Sequence, residues 1–318
     1  MLRRNKPLAM PRLTDVTLMG VDLKQAAPEA VKRLYAALLE IGALVQLPAH
    51  WADFLGSGLV SERTLLAAGT ELAQPGGFTG VLSDTNRPWQ ACVMKDCTLD
   101  TEAFPEADAY RLPVNAALFL RDYEDQFSRF LARAPKPVML CAQGETAFAT
   151  ALSVCWLGLG GASAAASIMG GKSHASMAEI AMALYLQRKG GLNLKALPEA
   201  ARAWETLTGK AVPPYQPVVG PRIFDVSSGV HVNGLLKDAE SYEPFPPEAV
   251  NRERRILLDQ HSGISAVAAK LLELGISPQS LDMQSLTRRV RAQGRENGEV
   301  GADAFSALIR QTQKDVCA

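Results

Sequence analysis

The sequence predicts an α/β fold: a truncated or distorted (β/α) barrel of the TIM type, followed by a small α/β subdomain and a helical C-terminal segment. Short apolar strands alternate with helices as far as Met182, an order typical of a sheet covered by helices. The middle of the chain is short and rich in turn residues, whereas a full barrel takes about 250 residues. The last stretch is polar and helical in pattern. We therefore expect three parts, at residues 11–211, 212–276 and 277–318.

The first half of the predicted barrel combines short strands with two helices. The helix at 28–41 has a proline in its first turn, one apolar face and Gly42 at its end, all of which are signals for helix boundaries. A second helix is predicted at 61–73, before a Gln-Pro-Gly-Gly turn. Apolar runs bounded by turn residues predict strands at 13–18, 43–47, 78–82, 90–94 and 109–113.

The second half of the barrel contains a long run without charge, from Thr146 to Gly171. Its length would suffice for a membrane span. The run is rich in alanine and serine and is divided by glycines, so a buried helix followed by a strand fits it better. The other predicted elements of this half and of the later segments are a strand at 138–141, helices at 122–134, 179–188, 197–208 and 265–273, and a strand at 252–258. The helix at 265–273 is expected to have Ser262 as its N-cap and Gly275 at its end.

Composition indicates an ordinary globular protein. The chain has 318 residues, 33 basic and 33 acidic side chains and no formal net charge, which gives no electrostatic reason to expect nucleic acid. The five cysteines are odd in number and are not spaced for disulfides or zinc. The basic N-terminal residues are not followed by an apolar core, so they do not predict a secretory signal. We expect a cytoplasmic protein that binds neither membrane nor nucleic acid.

The most specific motif lies between residues 224 and 269, where the run SGVHV is followed by YEPFPPEAV, with the tyrosine eleven residues after the histidine. This segment resembles the post-barrel segment of the homocitrate synthase and isopropylmalate synthase family, closest to the homocitrate synthase of nitrogen fixers. In that family the two runs supply a catalytic histidine and tyrosine, which correspond here to His231 and Tyr242. The resemblance implies a divalent metal, acetyl-CoA and a condensation with a 2-oxo acid such as 2-oxoglutarate.

The family's first barrel strand ends in Asp-Thr-Thr-Leu-Arg-Asp-Gly-Glu, whose arginine and second aspartate orient the keto acid and bind the metal. The matching run here is DVTLMGVD at residues 15–22. Met19 stands in place of the arginine and Gly20 in place of the aspartate. A hard divalent cation needs oxygen or imidazole ligands, and neither residue supplies one from its side chain.

Two further family motifs match in position and differ in chemistry. The family's His-x-His-Asn-Asp corresponds to CAQGE at residues 141–145, and its Gly-x-Gly-Glu-Arg-Ala-Gly-Asn corresponds to GGKSHASM at residues 170–177. Both metal histidines and the final asparagine are replaced. The resemblance therefore predicts a family frame without a bound metal or other cofactor.

Several isolated residues could still carry chemistry. Glu145, beside the replaced metal motif, is the acidic group there that could move a proton. Cys141 could bind a softer metal, but one thiol is weak support for a site. His50 and His174 have no partner at ligand spacing, and Lys172 fits a surface charge. His261 fits a role in organising its turn by hydrogen bonds.

The two family residues also have plain structural interpretations. His231 could be a structural histidine at the end of a strand, and Tyr242 could anchor a rigid loop among neighbouring prolines. A shortened barrel would leave either a smaller closed barrel or an open sheet edge. An open edge would be covered by loops or paired with a partner chain.

Three functions remain open. The chain is a catalytically degenerate homologue that acts by association, as a homodimer or as a heteromer with a full-length synthase, in nitrogen fixation or 2-oxo acid metabolism. Alternatively, it is an acyltransferase that condenses acetyl-CoA with a 2-oxo acid such as 2-oxoglutarate and whose metal site lies elsewhere. The third possibility is a binding module for a 2-oxo acid, a dicarboxylate or CoA. In the family, the post-barrel segment of one subunit reaches over the barrel mouth of the other subunit. The resemblance therefore implies that His231 and Tyr242 of this chain would act in the barrel of a partner subunit.

Overall fold

The structure is a computed structural model that describes residues 13–21, 26–48, 64–68, 78–84, 87–171, 173–189, 191–227 and 229–317. The chain divides into two compact units, Met1–Gly220 and Pro221–Ala318. The three-part division into 11–211, 212–276 and 277–318 stays a prediction.

The first unit is built on one sheet in which neighbours along the chain are also neighbours in the sheet. Strand β1 pairs with β2 and also with β8, so the strands β1 to β8 form a closed ring. The described strands therefore show a closed ring and not the open edge that was one expectation, but with eight strands the ring is not the smaller barrel that was the other. The strands are β1 Leu13–Asp15, β2 Leu44–Pro48, β3 Thr64–Ala68, β4 Phe78–Asp84, β5 Arg87–Asp96, β6 Ala109–Asn115, β7 Val138–Gln143, β8 Ser163–Ser167 and the short β9 Ala175–Ser176.

One strand of the ring runs in the reverse direction. Strand β4 is antiparallel to both β3 and β5, whereas the other pairings are parallel. Antiparallel neighbours can be joined by a short turn, but a parallel crossover needs a dozen or more residues. The reversed strand thus closes a sheet for which the middle of the chain is too short, and the prediction of a truncated or distorted barrel is confirmed.

The helices of the first unit follow the predicted pattern. They are α1 Pro28–Ile41, α2 Tyr123–Arg133, α3 Thr146–Gly158, α4 Met177–Leu186 and α5 Leu197–Thr208. Helix α1 ends at Gly42, whose φ of 97° is a conformation that glycine adopts without steric cost. The uncharged run forms α3 and β8, as predicted. Among the described residues, no helix is both long and apolar enough to cross a membrane.

The helix predicted at 61–73 is wrong where the structure describes it. Residues 64–68 form β3, which pairs with β2 on one side and β4 on the other; the remainder of the predicted helix lies outside the described residues. The run TLLAA is short and apolar, and such a run fits a buried strand as well as a helix. Pairing with β2, a strand that does not directly adjoin this run in the sequence, favours the strand over the helix.

The first unit has an apolar interior and an aromatic layer outside it. Side chains from five strands and the turn after β1 form the interior cluster, which consists of Val16, Leu44, Met94, Ala109, Met139, Cys141 and Ala165. Outside the sheet, Trp156 of α3 is fully buried and packs edge-on against Phe127 of α2 at a ring distance of 5.2 Å. Its Nε1 donates to the Ser163 carbonyl at 2.9 Å. This contact ties the helices to β8.

The second unit contains the parallel strands β10 Asp225–Val226 and β11 Arg255–Ile256 and four helices, α6 Gly229–Lys237, α7 Ile264–Glu273, α8 Met283–Asn297 and α9 Ala302–Cys317. The predicted helical C-terminal segment is thereby confirmed. One core joins these elements, with Val232, Leu258, Val267, Leu286 and Phe305 among its buried side chains. The strand predicted at 252–258 is reduced to β11.

The turn before α7 differs from prediction at one residue. Gly263 occupies the N-cap position without a side-chain bond, so Ser262 is not the N-cap. Its hydroxyl instead accepts the Asp259 N–H at 2.8 Å, because it is fully buried inside the turn. The end of α7 at Gly275 is confirmed, with a φ of 72°.

Candidate functional site

The three stretches that match family motifs lie together at the carboxyl ends of neighbouring strands. Strand β8 lies between β1 and β7. After β1, the Val16 N–H donates to the Ala166 carbonyl at 2.9 Å, and Thr17 Oγ1 accepts the Ile168 N–H at 2.9 Å. Thr146, after β7, donates its hydroxyl hydrogen to the Gly171 carbonyl. The barrel mouth is therefore assembled from the residues that the motif positions indicate.

The side chains at this mouth do not fit the hard divalent cation that the family implies. Met19 packs against the apolar interior cluster, and a side chain at Gly20 would meet nothing within 4 Å. Burial raises the pKa of the Cys141 thiol to about 12, so it stays protonated and is a poor ligand. Among the described residues, no group of three or more His, Cys, Asp or Glu side chains could hold a metal ion.

Asp15 is an ionisable group at the mouth whose environment the sequence analysis missed. Its side chain is fully buried, and its carboxylate accepts the Thr17 N–H at 2.9 Å and the Thr17 hydroxyl at 2.8 Å. Burial raises the pKa of this carboxyl from 3.8 to about 7, although the Thr17 hydrogen bonds lower it. By contrast Glu145, the acidic group expected to do proton work, is exposed. The sequence signal that could have identified Asp15 is its position as a charged residue at the end of an apolar strand.

A buried ion pair lies on the inner face of β5 and β6, and it too was missed. Arg111 stands opposite Asp96 in the ladder, and its Nε and Nη2 donate to the two carboxylate oxygens at 2.6 and 2.7 Å. The side chains are 8% and 17% exposed. Planar bidentate pairing of this kind is among the stronger charge-assisted contacts. Only the strand register reveals it, since the two residues are far apart in sequence.

The structure brings His231 and Tyr242 together. Their ring centroids are 6.0 Å apart with the rings edge to face. His231 lies within helix α6 and not at the end of a strand, since β10 stops at Val226. Its side chain is exposed, and Tyr242 is 48% exposed. The two residues thus form a pair on the surface of the second unit, and their catalytic role stays a prediction.

Two local features position Tyr242. An added Cβ at Gly234 would lie 2.2 Å from Tyr242 Cζ, so the ring lies directly against the helix backbone at a place that only glycine leaves open. The next residue, Glu243, accepts Arg254 Nε and Nη2 at 2.7 Å each. The first contact holds the ring against α6, and the second ties the loop after α6 to the residue before β11. This geometry is compatible with the interpretation that Tyr242 anchors its loop.

Replacing Gly234 by alanine is expected to displace the Tyr242 ring while α6 stays folded. The ring is half exposed and can move into solvent, and alanine favours a helix over glycine by about 1 kcal/mol. The melting temperature should therefore hold or rise, while the nuclear Overhauser contact between the His231 and Tyr242 rings disappears. Asn233→Ala, at an exposed position of the same helix, is the matched control. A contact that persists in Gly234→Ala would show that the glycine does not position the ring.

The remaining candidate residues are placed as follows. His174 is partly buried, and burial lowers the pKa of its imidazole. At the turn before α7, the His261 backbone N–H donates to Asp259 Oδ1 at 2.7 Å, so the hydrogen bond that organises the turn comes from its backbone. His50 and Lys172 lie outside the described residues.

Comparison with known proteins supports the resemblance. The family described as "Homocitrate synthase post-HMGL domain-like" matches residues 218–298. A probable 2-isopropylmalate synthase of Methanopyrus kandleri is 36% identical over 45% of this chain and 29% of its own length. Homocitrate synthase AksA of Methanocaldococcus jannaschii is 33% identical over 48% of this chain and 39% of its own length. The 2-phosphonomethylmalate synthase of Streptomyces rubellomurinus is 32% identical over 59% of this chain and 52% of its own length.

Among solved structures, the carboxyl transferase domain of Rhizobium etli pyruvate carboxylase covers 96% of this chain and 48% of its own, at 11% identity and a TM-score of 0.29. That likeness is too low to bear on function. The chain spans about half, or less, of the curated relatives it matches. Fold and motifs define a synthase-like barrel frame with a post-barrel segment. These comparisons support the resemblance to the homocitrate synthase and isopropylmalate synthase family, whose post-barrel domain matches residues 218–298.

Proposed function

We propose that this protein is a catalytically degenerate synthase homologue that acts in the cytoplasm by association with an active full-length homocitrate synthase. The uneven retention of the site supports this proposal. The barrel mouth has Met19, Gly20, a protonated Cys141 and Gln143 where the family has charged or metal-binding groups. The His231–Tyr242 pair, by contrast, is assembled and exposed.

The retained pair is the part of the site that a family member gives to its neighbour. In the family, the post-barrel segment of one subunit supplies its histidine and tyrosine to the other subunit's barrel. In this chain Val230, next to His231, is 74% exposed and Tyr242 is 48% exposed, so this surface of the segment is open to a partner. A heteromer with a full-length synthase would use His231 and Tyr242 in the partner's barrel. Alone, the chain would form a homodimer.

The pathway follows from the partner. An association with homocitrate synthase would place the protein in 2-oxo acid metabolism, and in nitrogen fixation where that synthase serves it. The competing function, an acyltransferase with a metal bound elsewhere, predicts turnover by the chain itself. The competing binding module predicts affinity for 2-oxoglutarate or CoA without turnover.

The purified chain alone is expected to contain no stoichiometric divalent metal and to release no thiol from acetyl-CoA with 2-oxoglutarate. The reason is that the side chains at the matched positions offer no charge to offset the lost hydration of a cation. Metal analysis and a thiol-release assay, with and without a chelator, measure this. Turnover that a chelator abolishes would establish the acyltransferase and overturn degeneracy.

Association is tested by complementation. An active homocitrate synthase whose own post-barrel histidine is replaced by alanine should have little activity, because general acid–base groups contribute about 10²–10⁴-fold. Mixing it with this chain should restore turnover, and His231→Ala in this chain should abolish the rescue. Asn233→Ala is the matched control and should rescue. Absence of a complex in pull-down eliminates the association, whereas a complex without rescue leaves a purely structural partner.

A further inference from the structure

A cleft of about 430 Å³ lies on the first unit, after the carboxyl ends of β5 and β6. One wall is formed by residues 98–100, just after β5, and the other by residues 113–121, which include the end of β6 and the turn beyond it. Its volume falls in the range of small-molecule sites, about 300–1,000 Å³. The carboxyl ends of barrel strands are also where sites of this fold occur. The residues that line the cleft belong to the first unit, whereas His231 and Tyr242 belong to the second.

Hydrogen bonds fix both walls. On the first, the Thr98 N–H donates to Thr101 Oγ1 at 2.9 Å, and Arg133 Nη2 donates to the Leu99 carbonyl at 2.8 Å. On the second, Asn115 Oδ1 accepts the Ala117 N–H at 2.8 Å. Because these bonds do not involve a ligand, the cleft is largely preformed, and a ligand would not have to order it.

The cleft presents one charge of each sign. Asp100 lies on the first wall and Arg121 on the second. Both are exposed, and within the described part of the chain neither forms an ion pair. The rest of the lining is mostly apolar, with Leu99, Val114 and Leu118, and it also includes the polar side chains of Thr98 and Asn115. A simple anion would be attracted by Arg121 and repelled by Asp100, and a simple cation the reverse.

We propose that this cleft binds a small zwitterion of the α-amino acid type with a short apolar side chain. The ligand carboxylate pairs with Arg121, its ammonium group pairs with Asp100, and its side chain lies against Leu99 and Leu118. A molecule with both charges on one carbon satisfies both protein groups at once. Each single-charge analogue satisfies one group and meets repulsion from the other. This proposal does not depend on the association with a synthase.

Binding is tested on the full chain with L-norvaline, pentanoate and butylamine, titrated by calorimetry and ligand-observed NMR. L-norvaline should bind at least about tenfold more tightly than either single-charge analogue, because a hydrogen bond to a charged group is worth about a factor of ten or more. Arg121→Gln and Asp100→Asn should each weaken L-norvaline about tenfold. Arg129→Gln removes an exposed guanidinium that pairs with Asp125 and should leave binding unchanged.

Each other outcome overturns the proposal. Pentanoate or 2-oxopentanoate binding as tightly as L-norvaline, with loss only in Arg121→Gln, would make the cleft a plain carboxylate site. Butylamine binding as tightly would make it a cation site. No binding by any probe at tens of millimolar would make it a solvated surface. Both substituted residues are exposed, so folding should be unaffected, and melting temperatures check this.

Discussion

Replacing Asp96 by alanine is expected to lower the free energy of unfolding of the first unit by about 3–5 kcal/mol. The substitution removes the carboxylate that accepts two hydrogen bonds from Arg111, whose side chain is only 8% exposed. The arginine stays charged, and a cation held on the inner face of the sheet loses hydration without the opposite charge that compensates it. Urea denaturation followed by tryptophan fluorescence measures the change, since Trp51, Trp89, Trp156 and Trp204 all precede residue 221.

Two further variants separate the buried pair from charge removal in general. Asp125→Ala breaks the exposed pair between Arg129 and Asp125 and should cost only about 0.3–0.5 kcal/mol. Replacing Asp96 by leucine and Arg111 by methionine together should recover most of the stability, because apolar residues of similar volume often substitute well for a buried pair. A loss for Asp96→Ala no larger than for Asp125→Ala would contradict burial of the pair.

The stability of the first unit is expected to fall as pH rises from about 4 to about 7, on account of Asp15. Burial raises the pKa of this carboxyl from 3.8 to about 7, so the folded state holds a proton that the unfolded state has released. The contribution is fully present below the unfolded pKa and is lost as pH rises through the folded pKa. At about 1.4 kcal/mol for each pKa unit, the loss is on the order of 4 kcal/mol.

The Asp15→Asn variant isolates this contribution from that of other carboxyl groups. Asparagine resembles the protonated acid, can still accept the Thr17 N–H and does not ionise in this range. The difference in unfolding free energy between the variant and the natural chain should therefore change steadily between pH 4 and pH 7 and level off above pH 7. Urea denaturation at several pH values gives this difference. A difference that is independent of pH would show that Asp15 titrates as an ordinary exposed carboxyl.

Local sequence signals were sufficient for many helices. Helix α1 was predicted at its observed bounds because a proline fits its first turn and Gly42 its end, and α5 likewise ends before Gly209. The family resemblance named His231 and Tyr242, and the structure adds that a helix and a short loop place their rings 6.0 Å apart. The helix predicted at residues 61–73 was wrong at 64–68 because a short apolar run has no periodicity that distinguishes a strand from a helix.

The sequence by itself determined the resemblance to the synthase family, the order of most elements and the residue types at the matched motif positions, because these depend on residue type and local spacing. Only the tertiary structure decided the reversed strand β4, the closure of β1 on β8, the Asp96–Arg111 pair and the burial of Asp15. Strand direction and register depend on which distant segments compete for the same hydrogen bonds. The pKa of a carboxyl depends on how much water its neighbours exclude, and neither quantity can be read along the chain.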